Sequence, residues 1–414
     1  MNVIYIILAF FISIPVNTAP HKDKALKYND LIYANYKRWS FSKAKILSKD
    51  SYYLNAYTHL LKHANQALTK KTNPVVNKTQ TPPSGDKHDY LSLAPYWWPN
   101  PSTKNGLPWL RKDGQINPKT MGDHTDKLRL SNMFNDLENL TLAYFITDNI
   151  KYANKAKQII KVWFIDDATK MNPSVEYGQG IPGLSTGRPF GLIEFNHIDA
   201  LITTLQVLEI NHIIDTSFVK KMKLWTADLV DWMTKSELGM IADKTKNNHG
   251  TWYDYKVIGL QIYAGNLHLA KKRLEDIKSK RISGQIDENG FMAHEMKRTN
   301  SVNYVTLNLR GLCLLSDLGK KYNIDLFNFK AKNGAGIKKA LLFLKPYVEG
   351  SKVWTWKQGK YGCPEKAITS KMKPELFGVL KALQPGDFIK VSQNVHQHMK
   401  STEVINFPYN FNNI

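Results

Sequence analysis

Apolar residues recur at three- and four-residue intervals along most of the chain, the spacing that lines one face of an α-helix. The pattern predicts helices over 128–147 (LRLSNMFNDLENLTLAYFIT), 152–164, 193–210, 217–236, 251–265, 302–319 and 336–348. The apolar/polar alternation of half-buried strands is scarce. The expected fold class is therefore all-α. Successive helices on short connections pack best as antiparallel pairs. A run of such hairpins can close into an (α/α)n toroid with a concave face, an incomplete barrel of about six or seven hairpins for a chain of this size.

Two stretches interrupt the helical pattern. One runs from about residue 72 to 125 and is dense in Pro, Gly, Asn and aromatics, including DYLSLAPYWWPNP and GLPWLRKDGQINP; the other is MNPSVEYGQGIPGLSTGRPFG, 171–191. Long loops in compact proteins commonly cover or line a binding site, so both are expected over the cleft. No Gly/Ser linker divides the chain, and residues 20–414 read as a single catalytic domain. Residues 1–19 read as a secretory signal peptide: an apolar run from Val3 to Ile14, then small and polar residues with cleavage near Thr18 or Ala19. Its n-region carries no Lys or Arg. No later segment is long and apolar enough to span a bilayer. The expectation is a protein secreted to the periplasm or the medium without membrane insertion.

With 43% hydrophobic and 22% charged residues, the composition is that of a folded globular protein. The formal charge of +22 favours a polyanionic partner. Nucleic acid, an anionic membrane surface and an acidic polysaccharide are the candidate partners, with general solubility as the alternative; basic residues are spread along the chain with no Lys/Arg block of the nucleic-acid-tail kind. Of two cysteines, Cys313 lies in the apolar run RGLCLLSDL and reads as a core thiol, with a disulfide to Cys363 as the alternative. Neither has zinc-ligand spacing. In AHEMKRTNSVNY the residue four after His294 is Arg298, so the second histidine of H-E-x-x-H is missing and no metal is expected. No redox cofactor is implied.

Candidate chemistry starts at KNNHGTWYD, 246–254, where weak helix formers stand at the head of an amphipathic segment. Local folding preference does not explain Asn248, His249 and Gly250. Arg298 and Tyr304 follow about fifty residues later. Tyr90, Tyr96, Trp97, Trp98 and Trp109 sit in loops, where aromatic faces stack on sugar rings or pin the loop to the domain; Trp354 and Trp356 are a similar pair. In GRPFGLIEFNHID, Arg188 and His197 are candidate substrate contacts.

Together NNHGTWYD, HEMKR, the following NY, DYLSLAPYWWPNP, GLPWLRKDGQINP and WFIDDATKMNPSVEYGQ resemble the alginate lyase family of polysaccharide lyases over roughly residues 85 to 350. The resemblance implies an α/α toroid. It also implies that Asn248 and Arg298 bind the sugar carboxylate in the cleavage subsite while His249 and Tyr304 handle protons. Some members of the family carry serine where this chain has Gly250, and some space the arginine and tyrosine one residue further apart. The expected activity is β-elimination on a uronate polymer, mannuronate-rich alginate first and glucuronan next, leaving a 4,5-unsaturated end. Withdrawing the C5 proton loads charge onto the adjacent carboxylate, and an amide and a guanidinium aimed at it would stabilise that charge. Tyrosine titrates near 10, so a neighbouring cation is needed to favour its phenolate. Two alternatives stand beside this reading. One is a glycoside hydrolase on a similar toroid, for which Asp254, Glu194 and Glu295 are the available acids; the other is a non-catalytic binder of anionic glycans.

Overall fold

The chain described here is a computed structural model that covers residues 26–348, 351–358 and 400–408. The expected signal peptide and Cys363 lie outside the described residues. The helices are α1 (Tyr36–Leu47), α2 (Ser51–Thr69), α3 (Lys127–Thr147), α4 (Ile150–Phe164), α5 (Ile198–Ile210), α6 (Thr216–Lys235), α7 (Glu237–Lys244), α8 (Asn248–Tyr263), α9 (Leu267–Ile277), α10 (Ser283–Gln285), α11 (Ala293–Met296), α12 (Ser301–Lys320), α13 (Ile337–Val348) and α14 (Ser401–Asn406). All seven segments marked by apolar spacing are helical. Two starts differ. The segment expected from 193 winds as a 3-10 turn over Pro189–Phe195 before α5 begins, and α8 starts three residues before Thr251 because Asn247 caps it, its side chain accepting from the His249 N–H at 3.0 Å.

α3 packs on α5, α5 on α8 and α8 on α12, forming an inner layer; α4 lies outside α3, α6 and α9 outside α8, and α13 outside α12. These hairpins make the all-α, α/α toroid. The inner position of α8 shows in its burial, which runs round almost the whole helix, whereas α9 buries only Ala270, Leu274 and Ile277. Among the described residues no helix is long and apolar enough to cross a membrane. Cys313 is buried in the core of α12, as its apolar surroundings predict.

The two irregular stretches are knitted to one another and to the inner helices. Strands β1 (Leu91–Leu93) and β4 (Tyr177–Gly180) pair in parallel, joining the first stretch to the second. Strands β2 (Trp97–Trp98) and β3 (Leu110–Arg111) pair antiparallel as a hairpin, Trp97 opposite Arg111 and Trp98 opposite Leu110. At the root of this loop, Lys78 and Asp126 form an ion pair at 3.0 Å with both side chains fully buried. Lys78 Nζ also donates to the carbonyls of Val75 and Lys87, and the Leu91 N–H donates to Asp126, so both buried charges have partners. These contacts tie the root of the long loop to the residue that precedes α3.

Candidate active site

Asn248 and His249 occupy the first turn of α8, and the chain just before them is pinned from behind. Arg281, buried, donates to the carbonyls of Thr245 and Asp243 at 2.7 Å each and pairs with Asp254 on α8. Gln285 donates to the Asn247 carbonyl at 3.3 Å. Gly250 makes this possible: a Cβ there would overlap the Thr245 carbonyl and lie 2.5 Å from Arg281 Nη1. The serine that some family members carry at this position therefore has no room here. Gly250→Ser is expected to lower stability by about 1–3 kcal/mol, read by denaturant unfolding, with turnover reduced as the first turn of α8 shifts. Wild-type stability in that variant would show that Arg281 yields without cost.

Asn248 is itself buried, and both of its nitrogens face Glu295. The backbone N–H donates to Glu295 Oε1 at 2.6 Å and the side-chain Nδ2 to Oε2 at 2.9 Å. Burial raises the Glu295 carboxyl to about 7, against the opposing pull of these two hydrogen bonds and of Arg298.

Arg298 follows α11, and Tyr304 sits in the first turn of α12. Arg298 Nη2 donates to the Tyr304 hydroxyl at 2.7 Å, and its guanidinium carbon lies 3.7 Å from the centre of the phenol ring. The Tyr304 hydroxyl in turn donates to the Tyr96 hydroxyl at 3.1 Å. Asp113, from the loop after β3, accepts from Arg298 Nη2 at 3.0 Å and Nε at 3.4 Å, and from Thr299 Oγ1 at 2.9 Å. The hairpin loop thereby clasps the Arg298–Tyr304 pair from both sides. Burial is the largest influence on Tyr304 and pushes its phenol upward; Tyr96 adds to this and Arg298 opposes it. The cation expected beside the tyrosine is present, but in the resting protein the phenol is neutral because desolvation outweighs the guanidinium.

His249 packs its ring 4.7 Å from Phe190. Burial, followed by the positive charges of Lys256, Arg298 and Arg188, lowers the imidazole to about 3. It is a neutral imidazole at physiological pH, a proton acceptor as it stands. Lys256, two turns along α8, is buried with Nζ donating to Asn196 Oδ1 at 2.8 Å, and burial lowers it to about 7.

Arg188 stands over two rings, 5.9 Å from Trp97 and 5.3 Å from Phe190. A single residue aims it: Gln179 accepts its Nε on the backbone carbonyl at 3.0 Å and its Nη2 on Oε1 at 2.8 Å. Gln179 has φ +52°, a left-handed conformation uncommon outside glycine and often found where function needs it. Burial lowers Arg188 to about 10, which leaves it cationic.

Other expected contacts fall elsewhere. Trp98 donates to the Gln115 carbonyl at 3.1 Å and lies beneath Lys112 on the outer hairpin. His197, at the head of α5, lines with Asp199, Tyr255 and Arg310 a cavity of about 230 Å³ that none of Asn248, His249, Arg298 and Tyr304 lines. Tyr90 and Trp109 are buried and pin the loop, Tyr90 donating to Glu194 at 2.7 Å. Trp354 and Trp356 pack with Phe343 and Tyr347 and hold segment 351–358 against α12, where Trp354 donates to Ser301 at 2.8 Å. The acids available to a hydrolase are each committed: Glu194 to Tyr90 and Ser92, Asp254 to Arg281 and Arg273, Glu295 to Asn248. Among the described residues no group of three His, Cys, Asp or Glu side chains could hold a metal ion.

Sequence reasoning missed Glu295 in its observed place, and also Asp113, Gln179, Phe190 and Lys256. Asp113 and Gln179 lie in the quoted irregular stretches and within GLPWLRKDGQINP and WFIDDATKMNPSVEYGQ, motifs that marked the stretches without marking either residue.

A profile of the alginate lyase family matches residues 74–354. The crystal structure of an alginate lyase from Bacteroides ovatus is 31% identical and superposes with a TM-score of 0.82, covering 91% of this chain and 99% of that chain. Alginate lyase A1-III from Sphingomonas species A1 is 17% identical with a TM-score of 0.49, covering 78% of this chain and 81% of that chain. A variant of A1-III has been seen complexed with a tetrasaccharide, 16% identical over 80% of this chain and 81% of that chain, with a TM-score of 0.49. No curated protein sequence matches this chain. The α/α toroid is that of a polysaccharide lyase. The chain belongs to the alginate lyase family.

Proposed function

We propose that the protein is a secreted lyase of alginate, acting foremost on mannuronate-rich stretches with glucuronan as the next candidate, and cleaving by β-elimination to leave a 4,5-unsaturated uronate end. The observation that carries this reading is the Tyr304 hydroxyl, which accepts from the Arg298 guanidinium and donates to Tyr96. Once the Tyr304 proton has left to solvent, the guanidinium supplies a charge to hold the phenolate, and the Tyr96 hydroxyl can turn to donate its own hydrogen to that oxygen. Asn248 and the Nη1 of Arg298 take the sugar carboxylate, since Asp113 already occupies the Nε and Nη2 side of the guanidinium. The phenolate removes the C5 proton, the carboxylate carries the extra charge, and the new double bond forms as the C4–O4 bond breaks. Tyr304 then returns its proton to O4, which in mannuronate and glucuronate lies on the same face of the ring as the C5 hydrogen. On guluronate, where the two lie on opposite faces, neutral His249 is the base and Tyr304 the acid. Arg188 and Trp97 contact a flanking sugar, and the net charge of +22 draws in the polymer.

The test is incubation of the purified protein with polymannuronate, polyguluronate and glucuronan while ultraviolet absorbance of the conjugated double bond and new reducing ends are both followed. Equal growth of the two signals, fastest on polymannuronate, is expected. Reducing ends without absorbance would mean hydrolysis.

A further inference from the structure

The pincer between Asn248 and Glu295 is unusual for a group meant to greet a carboxylate. A side-chain amide has one oxygen and one nitrogen to present. Here its nitrogen is turned inward, 2.9 Å from Glu295 Oε2, and its backbone N–H is held by Oε1 of the same residue. An ionised carboxylate only accepts hydrogen bonds, so it keeps Nδ2 facing inward. The oxygen then faces the opposite way, where it would repel an incoming anion. A protonated Glu295 has the reverse requirement: Oε1 still accepts the backbone N–H, while the hydroxyl on Oε2 must donate, and Oδ1 of a turned amide is the acceptor within reach. In that arrangement both Nδ2 hydrogens face away from Glu295.

We propose that Glu295 is the positioning residue of the carboxylate subsite: it takes up one proton from solvent as the uronate enters and so turns the amide of Asn248 to offer its two hydrogens to the sugar. This deepens the lyase reading above and rests on it. The electrostatics run in the same direction. Glu295 is 1% exposed, and a second carboxylate arriving near it makes the charged form costlier still. Burial already places its titration at about 7, within reach of that push. The charge that acts on it directly is Arg298, just after its own helix; His249 follows its partner Asn248 on α8, and Arg298 in turn holds Tyr304 and Asp113. Arg298 favours the ionised form in the empty site; the sugar carboxylate that Arg298 and Asn248 share cancels that preference.

Glu295→Gln separates the states, because glutamine can accept from the backbone N–H and donate to Asn248 Oδ1 at any pH. The ratio of kcat/KM for Glu295→Gln to that for wild type is expected to climb about tenfold per pH unit above neutrality, since every other titration is common to both proteins. Glu295→Ala, which leaves the amide unheld, is expected to lose about a hundredfold in kcat/KM, the scale of one misplaced transition-state donor. Calorimetry of a mannuronate oligomer binding to Tyr304→Phe protein, in two buffers of different ionisation heat, gives a second readout. Uptake approaching one proton is expected above neutral pH, and none after Glu295→Gln is added. A flat ratio across pH overturns the proposal, and so does the absence of proton uptake with Glu295 present, which is read even if the glutamine variant fails to fold. Wild-type turnover is measured alongside: its absence on every uronan removes the lyase reading, whereas turnover with a flat ratio removes only this role of Glu295.

Discussion

Tyr304→Phe is expected to lower kcat on polymannuronate by about 10⁴-fold, the upper end of what one acid–base group contributes, because in the proposed mechanism the same hydroxyl serves both proton transfers. Affinity for a mannuronate oligomer should stay within a fewfold of wild type. The ring remains to pack against Arg298, and only the hydrogen bonds from Arg298 and to Tyr96 are lost. Rapid-mixing kinetics with separate calorimetric binding distinguishes the two quantities. A variant that binds as well and turns over within tenfold of wild type would leave Tyr304 as a packing hydroxyl and move the chemistry elsewhere.

Arg298→Lys is the second large effect, and it is expected to cost about 10²–10³-fold in kcat although the charge is kept. A lysine ammonium cannot lie flat on the Tyr304 ring while donating to its hydroxyl and to Asp113, as the guanidinium does. The pH profile carries the sign. Arg298 is the group that pulls the Tyr304 phenol down against burial and Tyr96, so weakening its hold lets that phenol rise further. Any activity limb that rises with pH should move to higher pH in the variant. An unmoved profile with lower kcat would assign Arg298 to the sugar carboxylate alone.

The helices were legible because an apolar face repeats over neighbouring residues, a local signal that survives without knowledge of the fold. α1 and α2 escaped it: α2 carries its buried stripe on Tyr53, Ala56, Leu60, Ala64 and Ala67, where small residues and a tyrosine blur the spacing. Asn248 and His249 stood out as weak helix formers at the head of a helix, and with Arg298 and Tyr304 they follow the order of a family's motifs. What they touch was not legible. Glu295 lies 47 positions from Asn248, and Asp113 lies 185 from Arg298, so only the packed toroid brings them together. The aromatic loops were read as one class and divide into two, because Tyr90 and Trp109 meet core partners while Tyr96 and Trp97 meet Tyr304 and Arg188. The cation beside Tyr304 was legible from the sequence, whereas the depth of burial that opposes it in the resting protein was not.

The most direct test of the whole account is the crystal structure of Tyr304→Phe protein with a bound mannuronate oligomer. One sugar carboxylate should lie within hydrogen-bond distance of the Asn248 amide and Arg298 Nη1, with its C5 hydrogen and O4 both facing the ring at position 304. An oligomer bound with that carboxylate away from Asn248, or with C5 turned from residue 304, would contradict it.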